Sequence, residues 1–307
     1  MFRALLAFVL AALVFAAPAE ARRHKAHARP TPAIEVTQDL AQPVHAAEAA
    51  VKRGRRVLVV FDIDNTLLTT PQDLGGDAWF NWQRAEGSDD AQLLADSTLL
   101  LQSTRMDKTQ GDAASLVAEL QARHVDVYAL SARGETLRGA TLAVLADAKI
   151  DLTKAPECGP PLCVRRGYLN DQQIRAAARK LGVRLPATAF RPITVSDGVM
   201  LAAGQNKGLL LHLLLGSLHR RYDDVWFVDD TWQNVVDVQA EAHAMPARLH
   251  VISYRHLWPE ADDFNKDAAR QAKAQDDLKA FKAALCTAIR ARTCPDQREA
   301  ASAAAPR

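Results

Sequence analysis

Apolar positions along the chain fall into short dense runs separated by longer stretches with a helical period. VLVVF at 57–61 is continuous and rich in β-branched residues, the pattern of a strand buried on both faces of a parallel sheet. VDVYAL at 125–130 and VWFV at 225–228 repeat it, and residues 249–254 predict a fourth strand. Each of the first three runs meets polar residues at its carboxyl end. Between them the spacing predicts helices over 113–123, 135–148, 171–181, 207–219 and 232–242. Strand alternating with helix implies βαβ units, and hence an α/β fold with a Rossmann-like, mostly parallel sheet flanked by helices. Ligands then bind at the carboxyl ends of the strands.

Two stretches break the alternation. Residues 69–110 carry Trp79, Phe80 and Trp82 ahead of a helix-like run at 90–102, which predicts a small, mostly helical cap inserted over the sheet's carboxyl edge. The three aromatics read either as a wall for a ligand or as the core of the cap itself. Later, ITV, SDG and VML over 193–201 predict a hairpin with Asp197 and Gly198 in its turn.

The ends of the chain change the picture of where the protein works. A charged start at Met1, Phe2 and Arg3, an apolar run and a small-residue cleavage site predict a signal peptide over 1–21. An uncleaved anchor is the competing reading, but the run is short for a bilayer and no stop-transfer segment follows, so no stable membrane span is expected after cleavage. Residues 22–50, rich in Arg, His, Ala and Pro, predict an exposed flexible tail with a helix near 46–51, and 296–307 a second flexible tail. The folded domain then covers 51–295, and the protein is expected to be exported, periplasmic or secreted.

A formal net charge of +2 gives no electrostatic case for nucleic acid. Lys52, Arg53, Arg55 and Arg56 form a basic cluster without interleaved aromatics and read as a solvated strand entrance. The four cysteines fall into two local pairs, and in an exported protein this predicts disulfides Cys158–Cys163 and Cys286–Cys294. A Cys₄ zinc cage is the alternative, with spacings wider than common zinc motifs. His212, His219, His243 and His250 show no metal-ligand spacing with a carboxylate and read as structural or exposed. The sequence gives no oligomeric state.

The candidate chemistry sits at the ends of the strands. FDIDNTLL at 61–68 sets Asp62 and Asp64 two residues apart on an extended segment, facing the same way, as a pair sharing one reaction centre and one divalent cation requires. Alone, the pair also reads as turn or capping carboxylates. Ser131 ends the second strand ahead of a helix start that suits phosphate, or serves as a plain N-cap. Arg133 beside it reads as a substrate contact or a solvent-facing side chain. Lys207 opens a helix and can reach back over the same edge as a point charge for phosphate. Asp229 and Asp230 close the third strand. Together these groups place one polar constellation on one rim of one sheet.

That order of motifs resembles the haloacid dehalogenase superfamily from about residue 57 to 254. FDIDNTLL, WFNWQ at 79–83, LSARG at 130–134 and GQNKG at 204–208 resemble the DUF2608 family in particular, and exported acid phosphatases of the superfamily more distantly. The resemblance implies a phosphohydrolase in which Asp62 is the nucleophile and Asp64 the acid/base. It also implies that Thr66, Ser131 and Lys207 bind the substrate phosphate, and that Mg²⁺ is held by Asp62, Asp229 and the backbone carbonyl of Asp64. Asp230 and Asn234 are then expected to orient Lys207 and the metal waters. The expected partner is a small phosphorylated substrate. The alternative, from another class, is an exported binding or host-interaction protein that keeps the fold with little or no turnover.

Overall fold

A computed structural model describes residues 31–163 and 167–289, so the expected signal peptide at 1–21 and tail at 296–307 lie outside the described residues. The strands in chain order are β1 (Ile34–Thr37), β2 (Val57–Phe61), β3 (Leu68–Thr69), β4 (Asp107–Lys108), β5 (Asp126–Ser131), β6 (Thr194–Ser196), β7 (Val199–Leu201), β8 (Asp224–Asp229) and β9 (Arg248–Tyr254). β3 and β4 pair as a small antiparallel ribbon, while the others form a seven-stranded sheet ordered β1-β9-β8-β2-β5-β7-β6. Every pairing in that sheet is parallel except β6 with β7.

Helices cover both faces of the sheet and build the cap. They are α1 (Ala41–Lys52), α2 (Asp77–Ala85), α3 (Asp90–Ser103), α4 (Ala113–Ala122), α5 (Arg138–Asp147), α6 (Asp171–Leu181), α7 (Lys207–Ser217), α8 (Trp232–Glu241), α9 (Trp258–Lys266) and α10 (Ala268–Ala288). Side chains of β2 alternate between the two faces. Leu58 and Val60 enter a core shared with α6, α7 and α8, whereas Val57, Val59 and Phe61 enter one shared with α1, α4 and α5. A strand buried on both sides has no position for a polar residue, which is why VLVVF reads as continuous. Each such side chain contributes about 1.5–3 kcal/mol by leaving water.

The flexible tail expected over 22–50 is a correction from residue 34 onward. β1 extends the sheet by pairing with β9, from Ile34 opposite Val251 to Thr37 opposite Tyr254, and α1 buries Val44, Ala47 and Ala50. The signal was weak because a four-residue edge strand, IEVT, carries a polar face, and because the buried face of α1 is built largely from alanine. Pro43 lies in the first turn of α1, where the missing N–H costs nothing.

The hairpin at 194–201 forms as the sequence predicts. Asp197 and Gly198 have φ of 53° and 72°, the left-handed pair a tight two-residue turn needs. Gly198 is required twice over, since a Cβ there would collide with the Leu152 carbonyl oxygen.

The cap is larger than the insertion 69–110. Leu74, Trp79, Leu93 and Leu100 of the insertion pack against Phe264 of α9 and against Ala274 and Leu278 of α10. Arg270 of α10 reaches Asp73 at 3.0 Å, and Lys282 reaches Asp96 at 2.7 Å, so ion pairs close the same seam. Trp79 is fully buried in this core, with Phe80 and Trp82 packed against it, so these aromatics build the cap. Cys158 and Cys163 form a disulfide with Cα atoms 5.5 Å apart, which removes a Cys₄ zinc cage. The second expected pair ends on residue 294, outside the described residues.

Candidate active site

β2 stands between β8 and β5, so the chain leaves the sheet's centre in one direction and returns on the other side of β2. A crevice opens at such a switch of strand order, outside the carboxyl ends. Asp62 follows β2 directly and Asp229 is the last residue of β8, with exposures of 4 % and 0 %. Between them lies the ammonium of Lys207, 2.6 Å from Asp62 Oδ1 and 2.7 Å from Asp229 Oδ2. Lys207 is itself fully buried. Burial works against its charge, but Asp229 and Asp62 more than offset it and raise its pKa above the ordinary lysine value.

The local sequence explains how a lysine reaches that point. The loop after β7 is tied to the loop after β5 by three backbone bonds: Ala202 N–H to Ser131 O at 2.8 Å, Ala203 N–H to Arg133 O at 2.9 Å and Gly204 N–H to Ala132 O at 2.7 Å. Asn206 then caps α7 by accepting from Leu209 N–H at 2.9 Å, which starts the helix with Lys207 facing the carboxylates. Gly208 lets α7 lie directly on α8, because a Cβ there would collide with the Asp237 carbonyl oxygen.

Asp229 is oriented by Thr231 N–H at 2.9 Å and by the Asn234 amide at 3.0 Å. Asn234 thus acts on the carboxylate itself. Asp230 comes closer to the centre than a supporting role requires: carboxylate oxygens of Asp62, Asp229 and Asp230 all lie within 4.8 Å of one another. Burial pushes Asp62 well above the usual carboxylate range, Lys207 opposes this, and Asp229 and Asp64 add to it. Burial likewise raises Asp230, reinforced by Asp77, Asp229 and Asp62. Three carboxylates around one ammonium leave a surplus of negative charge. An all-oxygen set of this kind fits a hard divalent cation.

The side chain of Asp64 is not part of that trio. Arg133 holds it from both sides of the carboxylate, with Nε at 2.9 Å from Oδ2 and Nη2 at 2.7 Å from Oδ1. Arg133 is 5 % exposed and is steadied by Thr141 Oγ1 at 3.0 Å, so it does not face solvent, which corrects one of its two sequence readings. Burial would raise the pKa of Asp64, but the guanidinium pair prevails and holds it below the usual range. Ser131, fully buried, accepts from Arg133 N–H at 3.2 Å and donates to Asp64 Oδ2 at 3.4 Å. Its hydroxyl therefore faces the acid/base candidate.

Thr66, expected among the phosphate ligands, ties the loops of the site together. It is fully buried, its hydroxyl accepts from Asp230 N–H at 3.1 Å, and its carbonyl accepts from Thr109 Oγ1 at 2.5 Å. These bonds lock the loop after β2 to the loop after β8 and to the stem of the cap. Asn65, at φ 55°, supplies the left-handed turn, a conformation asparagine tolerates.

Beside the centre lies a cavity of about 540 Å³ lined by the cap and the loop after β8. Its aromatic lining comes from Trp232, Trp258 and Phe264, while Trp79 and Trp82 do not reach it. Trp258 Nε1 donates to the Asp230 carbonyl at 3.1 Å and joins α9 to the site. No sequence pattern marked Trp258 and Phe264, because α9 lies far along the chain from the cap insertion.

Residues 36–284 match the family described as "Protein of unknown function (DUF2608)", which covers most of the chain, and the chain belongs to that family. No curated protein matches. Among solved structures, the class C acid phosphatase from Bacillus anthracis is similar at 14 % identity. The likeness covers 77 % of this chain and 87 % of that one, with a TM-score of 0.38.

Proposed function

We propose that this member of the DUF2608 family is an exported, metal-dependent phosphohydrolase of the haloacid dehalogenase type, cleaving phosphomonoesters through an aspartyl-phosphate on Asp62. The observation that carries this reading is the division of labour between two aspartates two residues apart. Asp62 sits in a surplus of negative charge beside Lys207, whereas Asp64 is held ionised by Arg133.

In this reading an Asp62 oxygen attacks phosphorus while the bond to the leaving oxygen breaks, which splits one displacement into two easier ones. Lys207 fixes Asp62 and Asp229 and neutralises part of the charge that gathers in the transition state. Mg²⁺ fits the oxygens of Asp62, Asp229 and Asp230, where it would screen repulsion between nucleophile and phosphoryl group. Asp64 donates a proton to the leaving oxygen and later removes one from the water that cleaves the intermediate. A carboxylate clamped by arginine is a poor acid. The incoming phosphoryl oxygens therefore serve a second purpose, drawing the Arg133 guanidinium toward themselves and releasing Asp64 to take up a proton.

Export is supported by the Cys158–Cys163 disulfide, a bond that persists in oxidising compartments. Among the described residues no helix is long and apolar enough to cross a membrane. The purified protein, screened against a panel of phosphomonoesters with Mg²⁺ and with excess chelator, tests the proposal. Phosphate release that stops on chelation and returns with Mg²⁺ is expected, and no release from any ester would overturn the reading.

A further inference from the structure

We infer that the cavity beside Asp230 selects phosphomonoesters whose leaving group carries a positive charge and no second anion. This rests on reading the centre as a phosphohydrolase and goes beyond it by naming the substrate class.

Among the described residues, all but one of the charged side chains on the cavity wall are acidic. Asp73, Asp77, Asp230, Glu260 and Asp262 line it, and Arg270 is the one lysine or arginine on that wall. Arg270 is spoken for, because Asp73 accepts from its Nε at 3.0 Å. Asp230 belongs to the carboxylate trio at the reaction centre. That leaves Asp77, Glu260 and Asp262 facing whatever is attached to the phosphate, and among the described residues none of the three has an ion-pair partner. A sugar bisphosphate or a phosphorylated carboxylic acid would bring its second anion against these groups with no counter-charge. Each such encounter is a like-charge repulsion that salt weakens.

The uncharged part of the wall favours a cation too. Trp232, 45 % exposed, and Trp258 line the cavity, and indole is the aromatic type that binds ammonium groups best. Both rings already attract one cation, since the Arg255 guanidinium, which does not line the cavity, lies 5.4 Å from the Trp232 centroid and 3.9 Å from that of Trp258. A volume near 540 Å³ suits a small leaving group and not a polymer.

Three aliphatic esters differing in the charge of the leaving group test this at low ionic strength with Mg²⁺: O-phosphocholine, glycerol 3-phosphate and 3-phosphoglycerate. The expected order of kcat/KM is cation, neutral, anion, spanning at least about tenfold from first to last and carried mainly by KM. The span should shrink as salt is raised, and should fall at least about threefold in the Glu260→Gln/Asp262→Asn variant, whose folding is checked by circular dichroism. Equal rates, a preference for 3-phosphoglycerate, or a span untouched by the double variant would overturn the inference. para-Nitrophenyl phosphate separates the two claims: its hydrolysis without charge preference sinks this inference alone, whereas failure to hydrolyse any of the four esters sinks the hydrolase reading and this inference with it.

Discussion

β8 begins and ends on a buried aspartate, and the two ends differ in what surrounds the charge. At the amino end Asp224, 2 % exposed, is balanced: Arg55 donates to Oδ2 and His250 lies 3.1 Å from Oδ1. At the carboxyl end Asp229 shares a single ammonium with Asp62 while Asp230 crowds in beside them. Burial would raise Asp224, but Arg55 and His250 keep its pKa below the usual carboxylate range, whereas Asp62 and Asp230 are pushed well above it. A buried charge that its own fold balances serves stability. One left in surplus marks a place that a ligand completes, and here that place lies at the switch point of the sheet.

The largest effect should come from removing the nucleophile. Asp62→Asn is expected to lower turnover by at least about 10⁴-fold, the scale of losing a covalent catalyst, with no phosphorylated protein at any time. The fold should not suffer. A carboxyl whose folded pKa is raised destabilises the ionised state, so without added metal the amide should leave the melting temperature unchanged or higher. A clear drop in melting temperature would show that the centre is balanced after all, and that the contrast with Asp224 is false.

A smaller effect should follow from loosening Asp64. With Asp64→Asn, Asp62 can still attack an ester that has a good leaving group, but the intermediate lacks a base for its hydrolysis. The expected trace is a burst followed by slow turnover, with base-labile phosphate mapped to Asp62 by mass spectrometry; phosphate on Asp64 in the unaltered protein would reverse the two roles. Arg133→Lys keeps the charge and loses the two-point grip, so kcat is expected to fall about 10²-fold, with the pH profile of kcat shifted. If only KM moved, Arg133 would be a binding group and not a device that governs Asp64.

How much of this was legible depended on how local each signal was. The four central strands and most flanking helices are written as dense or periodic apolar runs, and Asp62, Asp64, Ser131, Lys207 and Asp229 stand at the ends of those elements, where topology brings them together. β1 was hidden because an edge strand needs few apolar residues. The share of α9 and α10 in the cap was hidden because Phe264 and Leu278 meet Trp79 across a separation no window covers. Thr66 and Arg133 have the right residue types for a phosphate site, but their bonds to Asp230 N–H and to the Asp64 carboxylate depend on neighbours that the sequence does not place. Asp230 carried a readable signal, an acid beside an acid at a strand end, and the structure sets it nearer the centre than its resemblance-based role.

The smallest effect tests the balanced end. Asp224→Asn keeps the shape and loses the charge, so the bonds from Arg55 and His250 weaken without a cavity forming, at a cost of about 1–3 kcal/mol near neutral pH. The sign with pH follows from the depressed pKa of Asp224. In the unfolded chain this carboxyl protonates near 3.9, and in the folded chain only at lower pH. Its contribution is therefore fully present above the unfolded value and is lost as pH falls through the folded one. Urea denaturation at neutral pH and through the acid range should show the variant less stable at neutrality, the two proteins converging in acid, and kcat/KM unchanged, because the residue lies at the amino ends of the strands, opposite the end that carries Asp62. A gap that persisted undiminished in acid would mean that packing of His250 on Trp226, stacked at 4.0 Å, and not the charge of Asp224, is what the substitution disturbs. A loss of turnover would mean that the two ends of β8 are coupled, and that the balance at one end helps set the surplus at the other.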